Sequence, residues 1–244
     1  MAYKLKESIQ IRTLAADLGI KPAGDPVADI LRYCEQRIEE FMEDFPDCRT
    51  LSQCLECVAG KVGTYFEEVH SDDELDQIKQ KYVEQKEKGV AKLEEELSAD
   101  TFGMTIRREY HEHYEPPYVS IIDCRGDKAT RAYFTKWHEV AHLLVLTDQM
   151  RLSFKRTHSS TSPQDPEEKL MDVIAGMIGF RPLNIKDYEH YELSFDIIES
   201  LREELCPEAS RQASVLGFVK VWPNPCILLR AEMGYRKDQE AKLQ

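Results

Sequence analysis

The sequence predicts an α+β fold that is mainly helical, with a small sheet packed on one central helix and a small C-terminal α/β unit. Apolar residues recur at helical spacing in several charged segments, and two β-type runs precede a long amphipathic segment. Two further apolar runs, Val215–Trp222 and Cys226–Leu229, follow the last predicted helix. We therefore expect a helical region at 1–48, a central domain at 49–184 and the α/β unit at 185–244.

Composition limits the function classes. A net charge of -13 in 244 residues repels phosphate backbones, so direct nucleic-acid binding is not expected. The N-terminal residues lack the apolar run of a signal peptide, and no segment approaches the ~20 apolar residues of a membrane span. The seven cysteines are odd in number and scattered, which favours reduced thiols. We expect a cytoplasmic protein without membrane contacts.

The N-terminal half contains clear helix boundaries. Asp25 precedes a proline and an amphipathic segment that reaches about Glu43, which predicts a capped helix. A second predicted helix covers Leu51–Val62 and ends at a glycine, and the run Thr64–Val69 after it is extended. The charged segment 71–97 opens with a capping box and is predicted to be a helical insertion.

The central predictions follow from the same signals. Two neighbouring strands are expected at Met104–Arg108 and Tyr118–Asp123, followed by a helix at Ala129–Leu146. Asp165 precedes a proline and begins the next helix, and a further helix is expected at Ser194–Leu205.

The segment His138-Glu139-Val140-Ala141-His142 predicts a zinc site. Residues four apart lie on one face of a helix, so His138 and His142 can both bind one zinc ion. Glu139 then stands beside the metal, where a general base takes a proton from an activated water molecule. We expect one Zn²⁺ per chain.

A catalytic zinc needs a third protein ligand, and Glu168 is the main candidate because it opens the next helix. Asp172, one turn later, is expected to accept the outer N–H of a ligand histidine. Glu168 as a capping carboxylate and Glu167 as the ligand remain alternatives. Asp148 stands where one class of zinc peptidases has its third histidine, and it is a weaker alternative still.

These segments together resemble the ImmA/IrrE family of zinc metallopeptidases. The resemblance rests on the strand Tyr118–Asp123, the lead-in Arg131–Thr135, the motif His138–Leu144 and the helix Glu168–Phe180. It covers 118–182, and Glu168 and Asp172 fall on the family's ligand and supporting positions. The helix ends in Gly179-Phe180-Arg181-Pro182 rather than the family's usual Leu-x-Pro, and this departure, like the insertion at 71–97, leaves the substrate open. The resemblance implies cleavage of a protein partner such as a DNA-binding repressor.

Other polar residues are weaker candidates. Those that could contact substrate or an oxyanion are His111, His113, Tyr114 and His158. Cys54 and Cys57 are three residues apart, but no second pair completes a tetrahedral set, so they are predicted to be core residues. Leu14–Ile20 resembles a helix-turn-helix fragment too short to support DNA binding.

The predicted function is therefore a zinc-dependent endopeptidase acting on a specific protein, such as a helix-turn-helix repressor. The alternative is a zinc-containing regulatory or toxin-antitoxin-type binding protein, in which the site is structural and 185–244 binds a partner. The presence of Glu139 favours the enzyme, because a purely structural zinc site has no use for a base there.

Overall fold

The computed structural model describes residues 8–21, 24–87, 101–109, 115–146, 153–157, 165–181 and 190–229, together with residues 5, 97, 188 and 231. The described helices are α1 (Ile9–Asp17), α2 (Pro26–Met42), α3 (Leu51–Val62), α4 (Asp72–Glu84), α5 (Ala132–Leu144), α6 (Pro166–Ile178), α7 (Phe195–Leu205) and α8 (Arg211–Val221). The strands are β1 (Phe66–Val69), β2 (Thr101–Arg107), β3 (Tyr118–Asp123) and β4 (Ser153–Thr157). None of the eight described helices combines the length and apolar character that a bilayer-spanning segment requires. The predicted α+β, mainly helical class is confirmed.

The helix boundaries follow from local side-chain chemistry. The Asp25 carboxylate accepts the Ala28 N–H at the start of α2, as the sequence predicts. Thr50 and Gln53 form a capping box at the start of α3, which ends at Gly63 in the left-handed conformation, with a φ of 81°. Capping by these residues satisfies backbone groups that a helix leaves unpaired at its ends.

The four strands form one mixed sheet in the order β1-β3-β2-β4. β1 and β3 are parallel, and β2 is antiparallel to both β3 and β4. The predicted neighbouring strands are thus confirmed as β2 and β3. β4 was not predicted, because the sequence of 153–157 has no regular alternation, and the strand is defined by its pairing with β2.

The two faces of the sheet differ because successive strand residues point to opposite sides. One face is apolar and packs on α4, in a cluster made by Val69, Leu75, Ile78, Tyr82, Leu97, Met104, Ile106, Val119 and Ile121. The other face presents Gly103, Thr105 and Ser120 towards α5. A Cβ atom on Gly103 would lie 2.7 Å from Cγ2 of Thr135, so the glycine allows α5 to approach the sheet closely.

Helix α5 lies between this small-residue face and the remaining helices. On that second side Trp137, Val140 and Leu144 of α5 pack with Leu170 and Ile174 of α6 in the main hydrophobic cluster. Complete burial of side chains of this size contributes roughly 1.5–3 kcal/mol each. The helix is therefore fixed on both sides, and a short 3₁₀ turn, Gly126–Arg131, replaces the predicted first turn.

The C-terminal region differs from its prediction. The apolar run Val215–Trp222 lies almost wholly in α8, which begins after Ser210 as N-cap. The inward residues Ser214, Gly217 and Phe218 are three and four positions apart, which is helical spacing. Phe218 belongs to the main cluster, so α8 shares the core with the N-terminal helices.

The second apolar run, Cys226–Leu229, has no regular secondary structure. Ile227 and Leu229 are 84% and 86% exposed, so in the described residues they pack against no sheet. The strands expected in the C-terminal unit are absent from 190–229, where the chain is helical or irregular. Over these described residues the expectation of strands was wrong, because short apolar runs do not by themselves separate strands from buried helix faces.

Candidate metal centre

Two histidines and one glutamate bring their ligand atoms to a single point, which we call the metal centre. Nε2 of His138 lies 3.2 Å from both Nε2 of His142 and Oε2 of Glu168. Nε2 of His142 lies 3.4 Å from Oε1 of Glu168. These three residues form one of two groups of metal-type ligands found in the described part of the chain.

The spacing of these atoms fits a tetrahedral ion. Zinc bonds of about 2.0–2.1 Å to nitrogen and oxygen place neighbouring ligand atoms about 3.3–3.4 Å apart. The two imidazole nitrogens are 3.2 Å apart, which is close to one such edge. Glu168 presents Oε2 to His138 at 3.2 Å and Oε1 to His142 at 3.4 Å, so its carboxylate faces the same point as both imidazoles. A set of two imidazoles and one carboxylate, with one position left open, is also the donor set of a catalytic zinc.

Two helices position the ligands. His138 and His142 are one turn apart on α5, and Glu168 is the third residue of α6. The Asp165 carboxylate accepts the Glu167 N–H and so caps α6. The carboxylate that contacts the histidines belongs to Glu168, so among the sequence alternatives the geometry favours Glu168 over Glu167 as the ligand.

Asp172 lies where the sequence places it. Its Oδ1 is 3.0 Å from Nδ1 of His138, one helical turn beyond Glu168. A neutral imidazole carries one N–H, so donation from Nδ1 to Asp172 leaves the Nε2 lone pair directed at the metal centre.

The two histidines favour the ionised form of the Glu168 carboxylate. Burial alone raises the pKa of Glu168, but hydrogen bonds and charge interactions with His138 and His142 outweigh it and hold that pKa well below its usual range. The carboxylate of Glu168 is therefore ionised, and it can bind a metal ion without first losing a proton.

Glu139 lies on the sheet side of the centre and is fully buried. Burial raises its pKa, while the charges of His138 and His142 and a hydrogen bond from Thr105 act in the opposite direction. The Thr105 hydroxyl donates to Oε2 of Glu139 over 2.8 Å. The net rise moves this carboxyl towards the pKa range that suits a general base near neutral pH.

A row of hydroxyl groups supports Glu139 from the sheet. Oγ1 of Thr105 lies 2.7 Å from Oγ of Ser120, which lies 2.9 Å from Oγ1 of Thr64. All three residues are buried, so each hydroxyl satisfies the next. Oε1 of Glu139 has no hydrogen-bond partner in the described part of the chain. An unsatisfied buried oxygen is costly, and a water molecule held at a metal would supply its missing donor.

Several sequence candidates cannot be placed. His111, His113, Tyr114, Asp148 and His158 lie outside the described residues. Their suggested contacts with substrate or metal therefore stay predictions.

The cysteine pair of α3 does not join a metal group among the described residues. Cys54 is buried, and its sulfur contacts Sδ of Met42. This agrees with the predicted role of Cys54 as a core residue. Cys57 lies closer to the surface, on the wall of a separate cavity.

Sequence reasoning missed three residues that support the site. Thr105 donates to Glu139, Ser120 is hydrogen-bonded to Thr105, and Gly103 allows α5 to approach. Their only signal in the sequence is that small or polar residues alternate with apolar ones in β2 and β3, which shows two different faces.

No protein-family model matches the chain, and no curated protein matches it significantly.

Proposed function

We propose that this chain is a zinc-dependent endopeptidase whose metal is held by His138, His142 and Glu168. The observation that carries the proposal is that both Nε2 atoms and the Glu168 carboxylate lie within 3.2–3.4 Å of one another, with Glu139 next to the first histidine on the same helix. The resemblance of 118–182 to the ImmA/IrrE family supports the same activity.

The residues divide the chemistry between them. Zinc, when bound, supplies a Lewis acid for the scissile carbonyl and lowers the pKa of a bound water molecule towards ~7. Glu139 takes the proton from the attacking water and later passes it to the leaving amine. Thr105 holds one oxygen of Glu139, which leaves Oε1 to receive the proton. Asp172 keeps His138 in the tautomer that binds metal.

The proposed substrate is a specific protein partner such as a helix-turn-helix repressor. This part of the proposal rests on the family resemblance, because relatives in that family act on repressors. Cleavage of such a partner would release genes from repression, and it would take place in the cytoplasm.

One observation favours a second function, that of a zinc-containing regulatory or toxin-antitoxin-type binding protein. Glu139 is 0% exposed in this structure and bonded to Thr105, as a purely structural carboxylate would be. In that case the metal would stabilise a binding surface and no peptide bond would be cleaved.

The test compares Glu139→Gln with Glu167→Gln. Glutamine keeps the size of the side chain but does not act as the base, so Glu139→Gln should retain zinc and reduce proteolysis by roughly 10²–10⁴-fold. Glu167→Gln, on the neighbouring helix, should keep both the bound zinc and the proteolytic activity. Each variant is co-expressed with the repressor encoded nearest to this protein, and the mass of the repressor is followed by mass spectrometry. If wild type leaves the repressor intact while Glu139→Gln still supports derepression, the binding-protein function is correct.

A further inference from the structure

A second group of ligand-type side chains lies at the ends of two parallel strands. Glu68 is in β1, His70 follows β1 directly, and Cys124 follows β3 directly. β1 and β3 are parallel, with Val69 opposite Asp123, so their carboxyl ends meet at one edge of the sheet. We call these three residues, Glu68, His70 and Cys124, the strand-end cluster.

The ligand atoms of the strand-end cluster are spaced for a metal ion. Oε2 of Glu68 lies 3.3 Å from Nε2 of His70 and 3.7 Å from Sγ of Cys124. All three ligand atoms lie within 4.8 Å of one another. Zinc bonds of about 2.0–2.1 Å to oxygen or nitrogen and about 2.3 Å to sulfur give tetrahedral edges of about 3.3–3.4 and 3.5–3.6 Å. The observed distances are close to both values.

A neighbouring lysine orients Glu68 without occupying the metal position. Nζ of Lys136 lies 2.7 Å from Oε1 of Glu68, whereas His70 and Cys124 lie near Oε2. Burial raises the pKa of Glu68, but the hydrogen bond and charge of Lys136 lower it below its ordinary value. The carboxylate is therefore ionised, and it presents one oxygen to the lysine and the other to the cluster.

The cluster opens into a cavity of about 510 Å³. The wall of this cavity is shared by α3 and α5 and includes Cys57 and Glu56. A cation bound by three protein atoms has room there for a water molecule in its remaining position.

The strand-end cluster is separate from the metal centre. Lys136, which contacts Glu68, and His138, a ligand of the metal centre, are two residues apart on α5. Two residues correspond to a rotation of about 200° around a helix, so their side chains leave α5 on opposite sides.

We propose that Glu68, His70 and Cys124 form a second metal site that takes a borderline-soft divalent cation such as Zn²⁺. One thiolate, one imidazole and one carboxylate favour such an ion over Mg²⁺ or Ca²⁺, which prefer oxygen ligands. Burial, together with the charge of Glu68, raises the pKa of the Cys124 thiol to about 12. Binding of a metal ion replaces the S–H bond of Cys124 with a metal–sulfur bond and releases one proton to solvent.

This site is expected to exchange its metal. His70 and Glu68 are 58% and 36% exposed, and the ammonium group of Lys136 repels a cation. The site should therefore fill when metal is added and empty on dialysis, in contrast with the zinc of the metal centre.

The test titrates the zinc-loaded protein with Cd²⁺ and follows the thiolate-to-cadmium charge-transfer absorption. The metal centre contains no sulfur, so cadmium that replaces zinc there gives no such absorption. The Cys124→Ser variant separates the signal of the strand-end cluster from that of the other free cysteines. We expect about one equivalent of cadmium to produce the absorption, and the same signal in His138→Ala. Cys124→Ser should abolish it, and His70→Ala should weaken cadmium binding by more than about tenfold.

The matched control is Cys54→Ser, which changes another buried cysteine that does not line the cavity. It should leave the titration unchanged, and circular dichroism should show that Cys124→Ser is folded. If Cys124→Ser is unfolded, the exposed His70→Ala variant decides the question alone. Any one of three results would overturn the proposal: no absorption in wild type, unchanged cadmium binding in His70→Ala, or an absorption that persists in folded Cys124→Ser.

Discussion

The metal centre and the strand-end cluster have nearly the same ligand spacing in very different surroundings. The His138 and His142 side chains are each 1% exposed, and the carboxylate of Asp172 lies 3.0 Å from Nδ1 of His138. In the strand-end cluster His70 is 58% exposed, and the nearest additional charge is the ammonium group of Lys136. The two regions differ mainly in burial and in the sign of the neighbouring charge.

This difference predicts which of the two proposed sites keeps a metal ion through purification. Buried imidazoles oriented by a carboxylate bind zinc in a fixed geometry and lose little entropy on binding. The exposed ligands beside the Lys136 ammonium group must be ordered when a metal ion binds, and the metal ion must overcome repulsion by that group. We therefore expect purified protein to contain about one zinc per chain, in the metal centre, and to accept a second metal ion only when metal is added.

The largest effect is expected from removal of a ligand at the metal centre. His138→Ala, His142→Ala and Glu168→Ala each delete one of three ligands, so purified protein should lose its zinc. Elemental analysis of protein purified without chelators measures this directly.

Glu167→Ala is the matched control for Glu168→Ala and should keep a full equivalent of zinc per chain. Zinc loss in Glu167→Ala but not in Glu168→Ala would move the third ligand by one residue. Metal-free wild-type protein would contradict the entire assignment.

A smaller effect is expected from Asp172→Ala. This change removes the acceptor of the His138 Nδ1–H but no ligand, so zinc affinity should fall by roughly 10–100-fold. Competition with a chromogenic chelator measures the affinity, and Lys169→Ala on the same helix is the control. An unchanged affinity in Asp172→Ala would show that Asp172 does not orient the histidine.

The parts of this site that depend on one helix could be predicted from the sequence. His138 and His142 are four residues apart on α5. Glu168 and Asp172 are four residues apart on α6, and Asp165 marks the start of α6. Such pairs share a face by helical geometry alone. The meeting of the two helices was inferred from the requirement for a third ligand and from the family resemblance.

The parts that depend on strand pairing could not be predicted. Thr105 meets Glu139 only because β2 lies under α5, and the parallel pairing of β1 with β3 brings Cys124 to Glu68. A sequence shows that a strand exists but seldom which strand is its neighbour. The C-terminal prediction was wrong for a related reason, since the apolar run before Trp222 is compatible with a strand or with the buried face of a helix.

The polar face of the sheet supports the metal centre through the hydroxyl group of Thr105. Thr105→Val keeps the shape of the side chain but removes the hydroxyl group that joins Glu139 to Ser120. Zinc should be retained, because no ligand changes, while the free energy of unfolding should fall by about 1–3 kcal/mol, the cost of unsatisfied buried oxygens.

Urea denaturation of wild type and Thr105→Val, each with zinc bound, measures the decrease in the free energy of unfolding. Thr105→Ser, which keeps the hydroxyl group, is the control and should lose less stability than Thr105→Val. If the valine variant is the more stable of the two, packing rather than hydrogen bonding determines the role of this residue.

The smallest effect is expected from the cysteines of α3. The double variant Cys54→Ser, Cys57→Ser should contain the same zinc as wild type after purification, because neither sulfur belongs to a metal group among the described residues. Cys54 instead packs in the core beside Met42, so the variant should lose some stability without losing metal. Elemental analysis of the sample measures its zinc content, and thermal denaturation of the same sample measures its stability. Loss of zinc by the folded double variant would mean that α3 binds a zinc ion that stays bound through purification. The burial and charge of the metal centre would then not be enough to explain metal retention.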